Sequence, residues 1–382
     1  MRKIRLITLA AIIGLLVGCG AGSGDKAEGE SLTAVKTAAV EPCGVDEFFS
    51  VWCGYKNPED LALTPDGEFL LATGFGGIPD SVLNQMSIIE LSTMQHNSVE
   101  ILLAENLWGD PNCKRTTLDL SSHGLDIKQR FDGKHMVAVT NHLPKETVEL
   151  FELLPTETSW QLIWRGCAES PIVESGARQP MFNDVALTVD GGFYATEMYN
   201  AMMPFEQLIE AGAEGKDTGV VWYWTADNGF TPVAGSAGGF PNGIVINEAE
   251  DMLYVNYWFS GQTNKLDINS GEVLARHRGG MADNLTLVGG AVWAAKHDMT
   301  LMEIVEECSA ESINCFVPFS VYELALEDLT ERNAWSFDSE VFGLGTVATP
   351  VGDAIWFGSA HGDRIARFNV ESDDASDDIH SG

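Results

Sequence analysis

Positive charge is scarce in this chain of 382 residues, where 22 Lys and Arg stand against 56 Asp and Glu for a formal net charge of −34. A surface that neutralises phosphates cannot be built from that balance, so nucleic acid is excluded as a partner. Long apolar runs are missing too. The run from Leu6 to Val17 has 12 residues, short of the roughly 20 that a membrane-spanning helix needs. No Cys-x-x-Cys occurs and no Cys/His cluster has zinc spacing, which argues against a thiolate metal site. A nucleophilic-serine elbow is also absent: Gly235-Ser236-Ala237-Gly238 is the nearest phrase to Gly-x-Ser-x-Gly and lacks the spacing. Helical periodicity outside the leader is confined to Met203 to Ala213, where Phe205, Leu208 and Ile209 fall on one face. What is present is apolar mass. With 45% hydrophobic residues, 10 Trp and 18 Phe, the chain can bury a large core, so its acidity belongs to the surface of a folded protein.

The leader begins with Arg2, Lys3 and Arg5 and ends in Leu16-Val17-Gly18-Cys19. That ending resembles the lipobox of a bacterial lipoprotein signal, which implies a signal over 1–19, lipidation of Cys19 and a chain anchored to the bacterial cell envelope. Residues 20–42 are mostly Gly, Ala, Ser, Glu and Lys and read as a flexible tether. The folded domain is expected over 43–370, with an acidic disordered tail over 371–382. Six further cysteines in an exported chain, Cys43, Cys53, Cys113, Cys167, Cys308 and Cys315, read as disulfides. Cys43 with Cys53 and Cys308 with Cys315 are the local pairings expected.

A hairpin phrase recurs six times: a polar residue or pair, a short apolar strand, a turn, then a second strand rich in aromatic and β-branched residues. The copies begin at Glu59-Asp60, His123, Asn183-Asp184, Asn242, Asp283-Asn284 and Thr346. Their second strands include Phe69-Leu70-Leu71, Met136 to Val139, Phe193-Tyr194-Ala195, Leu253-Tyr254-Val255, Val292-Trp293-Ala294 and Ile355-Trp356-Phe357. Spacings of 64, 60, 59, 41 and 63 residues leave room for about four short strands per unit. The fold expected is therefore all-β, a six-bladed β-propeller with a short helical insertion over one mouth; a two-sheet sandwich is the competing reading.

In a propeller the inner strands line a central channel, so residues at one end of six equivalent strands converge near the axis. Here they are almost all oxygen donors, the set a hard cation such as calcium takes. Neighbouring side chains on a strand point to opposite faces, so the acceptor pairs suggest two sites.

The chain resembles the paraoxonase/arylesterase family of calcium-dependent lactonases over about Cys43 to Phe368. The resemblance rests on Glu59-Asp60-Leu61, Ser122-His123-Gly124-Leu125, Val139-Thr140-Asn141-His142, Thr147 to Phe151, Asn183 to Ala186, Phe193 to Thr196, Phe240 to Ile244, Asp283-Asn284 and Gly345 to Ala348. It implies a catalytic calcium held by Glu59, Asn183, Asn242, Asp283 and Asn284. A structural calcium would take Asp60, Asp184 and the backbone carbonyl of Leu125. It also implies a catalytic histidine pair, His123 and His142, with His297 and Phe240 in the substrate pocket. Two departures stand out. The family's disulfide joins the N-terminal region to the extreme C-terminus, where this chain has no cysteine, and a pocket tyrosine of the family falls near Gly77 without an aromatic counterpart in register.

The activity expected is calcium-dependent opening of lactones and cleavage of aryl or carboxylic esters. Calcium would polarise the carbonyl and stabilise the oxyanion while His123, oriented by His142, activates water; Glu59 or Asp283 could serve as base instead. The alternatives are a gluconolactonase-like sugar lactonase with one divalent metal, using Glu59, Asn183, Asn242 and Asp283, and a non-catalytic lipoprotein propeller stabilised by calcium.

Overall fold

The computed structural model describes residues 39–78, 81–308 and 312–370. The leader, most of the tether and the acidic tail expected from the sequence lie outside the described residues. Val40 is already seated on the fold before the expected boundary at Cys43: its N–H donates to the Thr93 carbonyl, and its own carbonyl accepts from Trp52 Nε1.

Six antiparallel sheets form the blades of a β-propeller, and each recurring phrase becomes the innermost strand of one blade. These strands are Leu61–Leu63, Ser122–Gln129, Pro180–Leu187, Pro241–Ile246, Met281–Val288 and Gly345–Val351. Each pairs antiparallel with the aromatic and β-branched strand that follows it. The second blade gains an outer strand, Glu100–Leu102, paired parallel to Trp160–Glu169. Closure is made at the sixth blade, where Ser50–Cys53 from the start of the domain pairs with Arg364–Asn369 from its end.

Apolar residues fill the spaces between blades. Phe49, immediately before the closing strand, sits among Phe319, Phe337, Phe342 and Phe357, with ring centroids 4.9 to 6.0 Å away. Burying each such ring contributes about 1.5–3 kcal/mol, which makes this cluster a strong latch on the ring. Three disulfides form, Cys43–Cys53, Cys113–Cys167 and Cys308–Cys315. Two are the local pairs expected. The third ties the loop before the second blade to that blade's strand Trp160–Glu169.

Two helices are described where one was expected. Helix α1, Phe205–Ala213, follows Pro204 and lies within the expected segment. Helix α2, Leu301–Glu307, corrects the reading of a single helix. Its start carries a capping box, Thr300 Oγ1 accepting from the Glu303 N–H while the Glu303 carboxylate accepts from the Thr300 N–H. At 7 residues it is too short for its helical periodicity to stand out in the sequence.

Candidate active site

Five of the six innermost strands carry one more residue than the partner stretch opposite, and in each case the slip falls on the polar positions of the recurring phrase. Pairing jumps from Ser122 to Leu125, from Phe182 to Val185, from Pro241 to Ile244, from Ala282 to Leu285 and from Gly345 to Val347. Such bulges re-aim side chains and free them from the strict alternation of a strand. His123, Asn183, Asp184, Asn242, Asp283, Asn284 and Thr346 all sit inside these slips. The blades approach closely there. A Cβ on Gly124 would lie 2.4 Å from Asp184 Oδ1, and one on Gly243 would lie 2.5 Å from the Asp283 carbonyl oxygen and 2.6 Å from Asn284 Cα, so only glycine fits at either place.

Toward the mouth that the helices cover, Glu59, His123, Asn183, Asn242, Asp283 and His297 line one cavity of about 240 Å³. Its upper wall is apolar, with Phe205 and Leu208 of α1, Leu301 and Ile304 of α2, and Phe240 and Trp258. Asn284 joins the group by donating from Nδ2 to Glu59 Oε1 at 2.6 Å. Four buried oxygens at this floor have no hydrogen-bond partner among the described residues: Glu59 Oε2, Asn183 Oδ1, Asn242 Oδ1 and Asn284 Oδ1. Buried acceptors are nearly always satisfied, so four orphans together in one chemically matched set indicate a missing electrophile. The neighbouring blades fix the backbone of the set. Thr346 Oγ1 donates to the Glu59 carbonyl at 2.5 Å, Thr140 Oγ1 to that of Asn183 at 2.6 Å, and Asn256 Nδ2 to that of Asp283 at 2.5 Å.

A second layer lies deeper, toward the opposite mouth. Asp60 accepts from the N–H of Leu61 and, across the blade boundary, from that of Leu125, both at 2.8 Å. Asp184 repeats the arrangement two blades on, accepting from Val185 at 2.7 Å and from Ile244 of the blade after its own at 2.8 Å. Asp126 links the blades between them by accepting from the Leu187 N–H.

Charge is poorly balanced in both layers. Among the described residues no Lys or Arg forms an ion pair with Glu59, Asp60, Asp184 or Asp283; the nearest basic groups are His123 Nε2, 3.9 Å from Glu59, and His297 Nε2, 3.5 Å from Asp283. Burial, with Asp283 and Asp60 close by, pushes Glu59 well above the usual carboxylate range. Burial alone lifts Asp283 to about 7 against a hydrogen bond from Asn242. Asp60 is pushed up to about 7 by burial despite its two N–H donors. Asp184 goes well above its ordinary value through burial and the charge of Asp60. The histidines move the other way, His123 well below the usual imidazole range through burial and the neighbouring His142, and His297 down to about 4 through burial. Four uncompensated buried carboxylates are costly, and an added cation would offset that cost.

The donor chemistry fits calcium. No group of three or more His, Cys, Asp or Glu side chains among the described residues could hold a metal by itself. Each layer offers two carboxylates, and the mouth layer adds three amide oxygens, the all-oxygen mixture that suits a hard cation.

His123 and His142 are brought together, His123 Nδ1 standing 2.9 Å from His142 Nε2, with Phe75 stacked on the His123 ring at 4.2 Å. Phe75 supplies an aromatic close to Gly77, where the register of the sequence shows none. His297 takes a hydrogen bond on Nδ1 from Trp258 Nε1 at 3.3 Å. One member was missed. Glu146 Oε2 lies 2.9 Å from His142 Nδ1, and Glu146 Oε1 accepts from the Phe182 N–H at 2.8 Å. In the sequence Glu146 is a charged loop residue four positions after a histidine, a spacing too common to signal a site.

No family model matches the chain, and no curated protein matches it. Among solved structures it is similar to a luciferin-regenerating enzyme at 12% identity, covering 86% of this chain and 91% of that one with a TM-score of 0.49. A gluconolactonase from Xanthomonas campestris shares 12% identity over 84% of this chain and 89% of its own, with a TM-score of 0.48. A chain of a nidogen/laminin complex shares 11% over 74% and 82%, with a TM-score of 0.42. At that level of similarity no chemistry carries over from any of them.

Proposed function

We propose that this propeller is a calcium-dependent hydrolase that opens lactones and cleaves aryl or carboxylic esters. The observation that carries the reading is the set of four unpartnered buried oxygens, on Glu59, Asn183, Asn242 and Asn284, beneath an apolar cavity into which His123, backed by His142, also opens. Glu59, Asn183, Asn242, Asp283 and Asn284 would hold the catalytic calcium. When bound, that ion supplies Lewis-acid polarisation of a carbonyl oxygen and offsets the negative charge that grows as water adds. His123 takes the proton of the attacking water at Nε2, the nitrogen that faces Glu59 and Asn183. His142 holds the ring of His123 from behind. Phe205, Leu208, Phe240, Trp258 and Leu301 receive the acyl or aryl part of the substrate and keep bulk water from the reacting carbon. A second calcium, in the deeper layer, would use the lone pairs that Asp60 and Asp184 have left after accepting backbone N–H groups, together with the Leu125 carbonyl. Lipid attachment at Cys19 would present the mouth to small substrates at the cell envelope.

The test is hydrolysis of a panel of γ- and δ-lactones and of phenyl acetate, with calcium, after chelation, and after calcium is restored. Turnover that disappears on chelation and returns with calcium supports the proposal. A folded, calcium-binding chain with no turnover across the panel overturns it in favour of a binding module.

A further inference from the structure

Glu146 is 8% exposed, and its two carboxylate oxygens have different, fixed partners: the Phe182 N–H on Oε1 and His142 Nδ1 on Oε2. We infer that Glu146 is a positioning residue that sets the direction of a Glu146–His142–His123 hydrogen-bond chain and so determines which nitrogen of His123 is free to accept a proton. The inference rests on the hydrolase reading only for its consequence in turnover.

The direction follows from donor and acceptor capacity. A carboxylate only accepts, so His142 carries its proton on Nδ1 and donates it to Glu146. His142 Nε2 is then a lone pair, and across 2.9 Å it accepts the proton held on His123 Nδ1. The remaining nitrogen, His123 Nε2, must be a lone pair. Its surroundings agree, because the Asn183 Nδ2 amide, a donor, approaches it at 3.3 Å. Each link therefore leaves His123 presenting an acceptor to the cavity.

An isosteric change reverses the chain. In Glu146→Gln the side chain has one acceptor and one donor end, and the buried Phe182 N–H claims the acceptor because two facing donors would leave that N–H unsatisfied. The amide NH₂ then faces His142 Nδ1, which must become a lone pair. His142 now donates from Nε2 to His123 Nδ1, and His123 carries its proton on Nε2, where it can no longer take one from water. Glu146→Ala removes the partner without imposing the reversed order. The substitution that best preserves shape is therefore the more harmful one, which a merely structural role does not predict.

The experiment pairs kinetics with long-range ¹H–¹⁵N spectra of the histidines in the purified, calcium-loaded chain. Wild-type His142 is expected to be protonated on Nδ1 and His123 on Nδ1, with both moved to Nε2 in Glu146→Gln. Lactone turnover is expected to fall on the order of 100-fold or more in Glu146→Gln, the scale associated with a wrongly protonated histidine, and by clearly less in Glu146→Ala. Wild-type His142 protonated on Nε2 overturns the inference, as does Glu146→Gln with wild-type turnover, or Glu146→Ala turning over no faster than Glu146→Gln. If the wild-type chain hydrolyses nothing, the hydrolase reading fails while the spectra still decide the direction of the chain. If Glu146→Gln does not fold, the wild-type spectrum decides alone.

Discussion

The two layers of the central channel are built from adjacent residues of the same chain segments, Glu59 with Asp60 and Asn183 with Asp184, yet their oxygens meet opposite fates. In the deeper layer both oxygens of Asp60 and of Asp184 accept backbone N–H groups, one on their own strand and one on the next blade. In the mouth layer Glu59 and Asn183 each keep a buried oxygen without a partner. One residue of a pair stitches blades together and its neighbour is left available to a ligand. The comparison teaches that stability and reactivity can be separated by a single step along the chain, inside a bulge at Asn183-Asp184 and without one at Glu59-Asp60.

Removal of calcium should give the largest effect, because it leaves the mouth layer with nothing to balance its charge. Asp60 and Asp283 are raised to about 7 in the folded chain, against ~3.9 for an unfolded Asp. Between about pH 4 and pH 7 the chelated folded state then binds more protons than the unfolded chain, so its stability falls as pH rises through that window. The chelated protein should melt at a higher temperature at pH 5 than at pH 8, and calcium should reverse the order by competing with protons. Equal melting temperatures for the chelated protein at both pH values would mean that these carboxylates are compensated by something else.

Glu59→Gln and Asp184→Asn sharpen the contrast because their signs differ. Glu59→Gln is expected to lower lactone turnover by roughly 100- to 1000-fold, the scale seen when one electrostatic catalytic element is lost, while raising the melting temperature of the chelated protein at pH 8. Asp184→Asn places an amide NH₂ against either the Val185 or the Ile244 N–H and should cost about 1–3 kcal/mol of stability in the calcium-loaded chain, where Asp184 is ionised and both its oxygens accept. Thermal melts and kinetics on both variants would show the separation of roles. Similar behaviour in the two would erase the distinction between the layers.

A smaller effect is expected from Gly243→Ala, which pushes a methyl group against the backbone of Asp283 and Asn284. Destabilisation of about 1–3 kcal/mol should follow from the overpacking, with calcium binding weakened more than the fold. Calorimetric titration alongside thermal melting checks whether the close approach of the blades serves the site.

The ring and most of its axial residues were legible because a hairpin phrase leaves its signature in consecutive residues, as in Asn242 to Ile246 followed by Leu253 to Val255. The bulges were not legible. A bulge is a mismatch in count between two paired strands, so it exists only once the register is known. Strict alternation suggested two sites from the adjacent pairs; it could not show that Asn183 and Asp184 lie within a slip, between Phe182 and Val185, while the strand after Glu59 and Asp60 pairs without one. Glu146 escaped for a related reason: its meaning comes from the Phe182 N–H, which lies 36 residues away in the chain. Helix α2 could have been found, since Thr300 and Glu303 spell its capping box.

The pairing of Ser50–Cys53 with Arg364–Asn369 bears on when this protein acquires its site during synthesis. The closing strand emerges from the ribosome first and waits for its partner until nearly the whole domain has been made, a contact of very high sequence separation. Glu59 follows that strand directly, and its carbonyl is held by Thr346 of the last blade. A nascent or truncated chain therefore contains every upstream ligand and no assembled site, so the ring closes and the site is completed in the same late event.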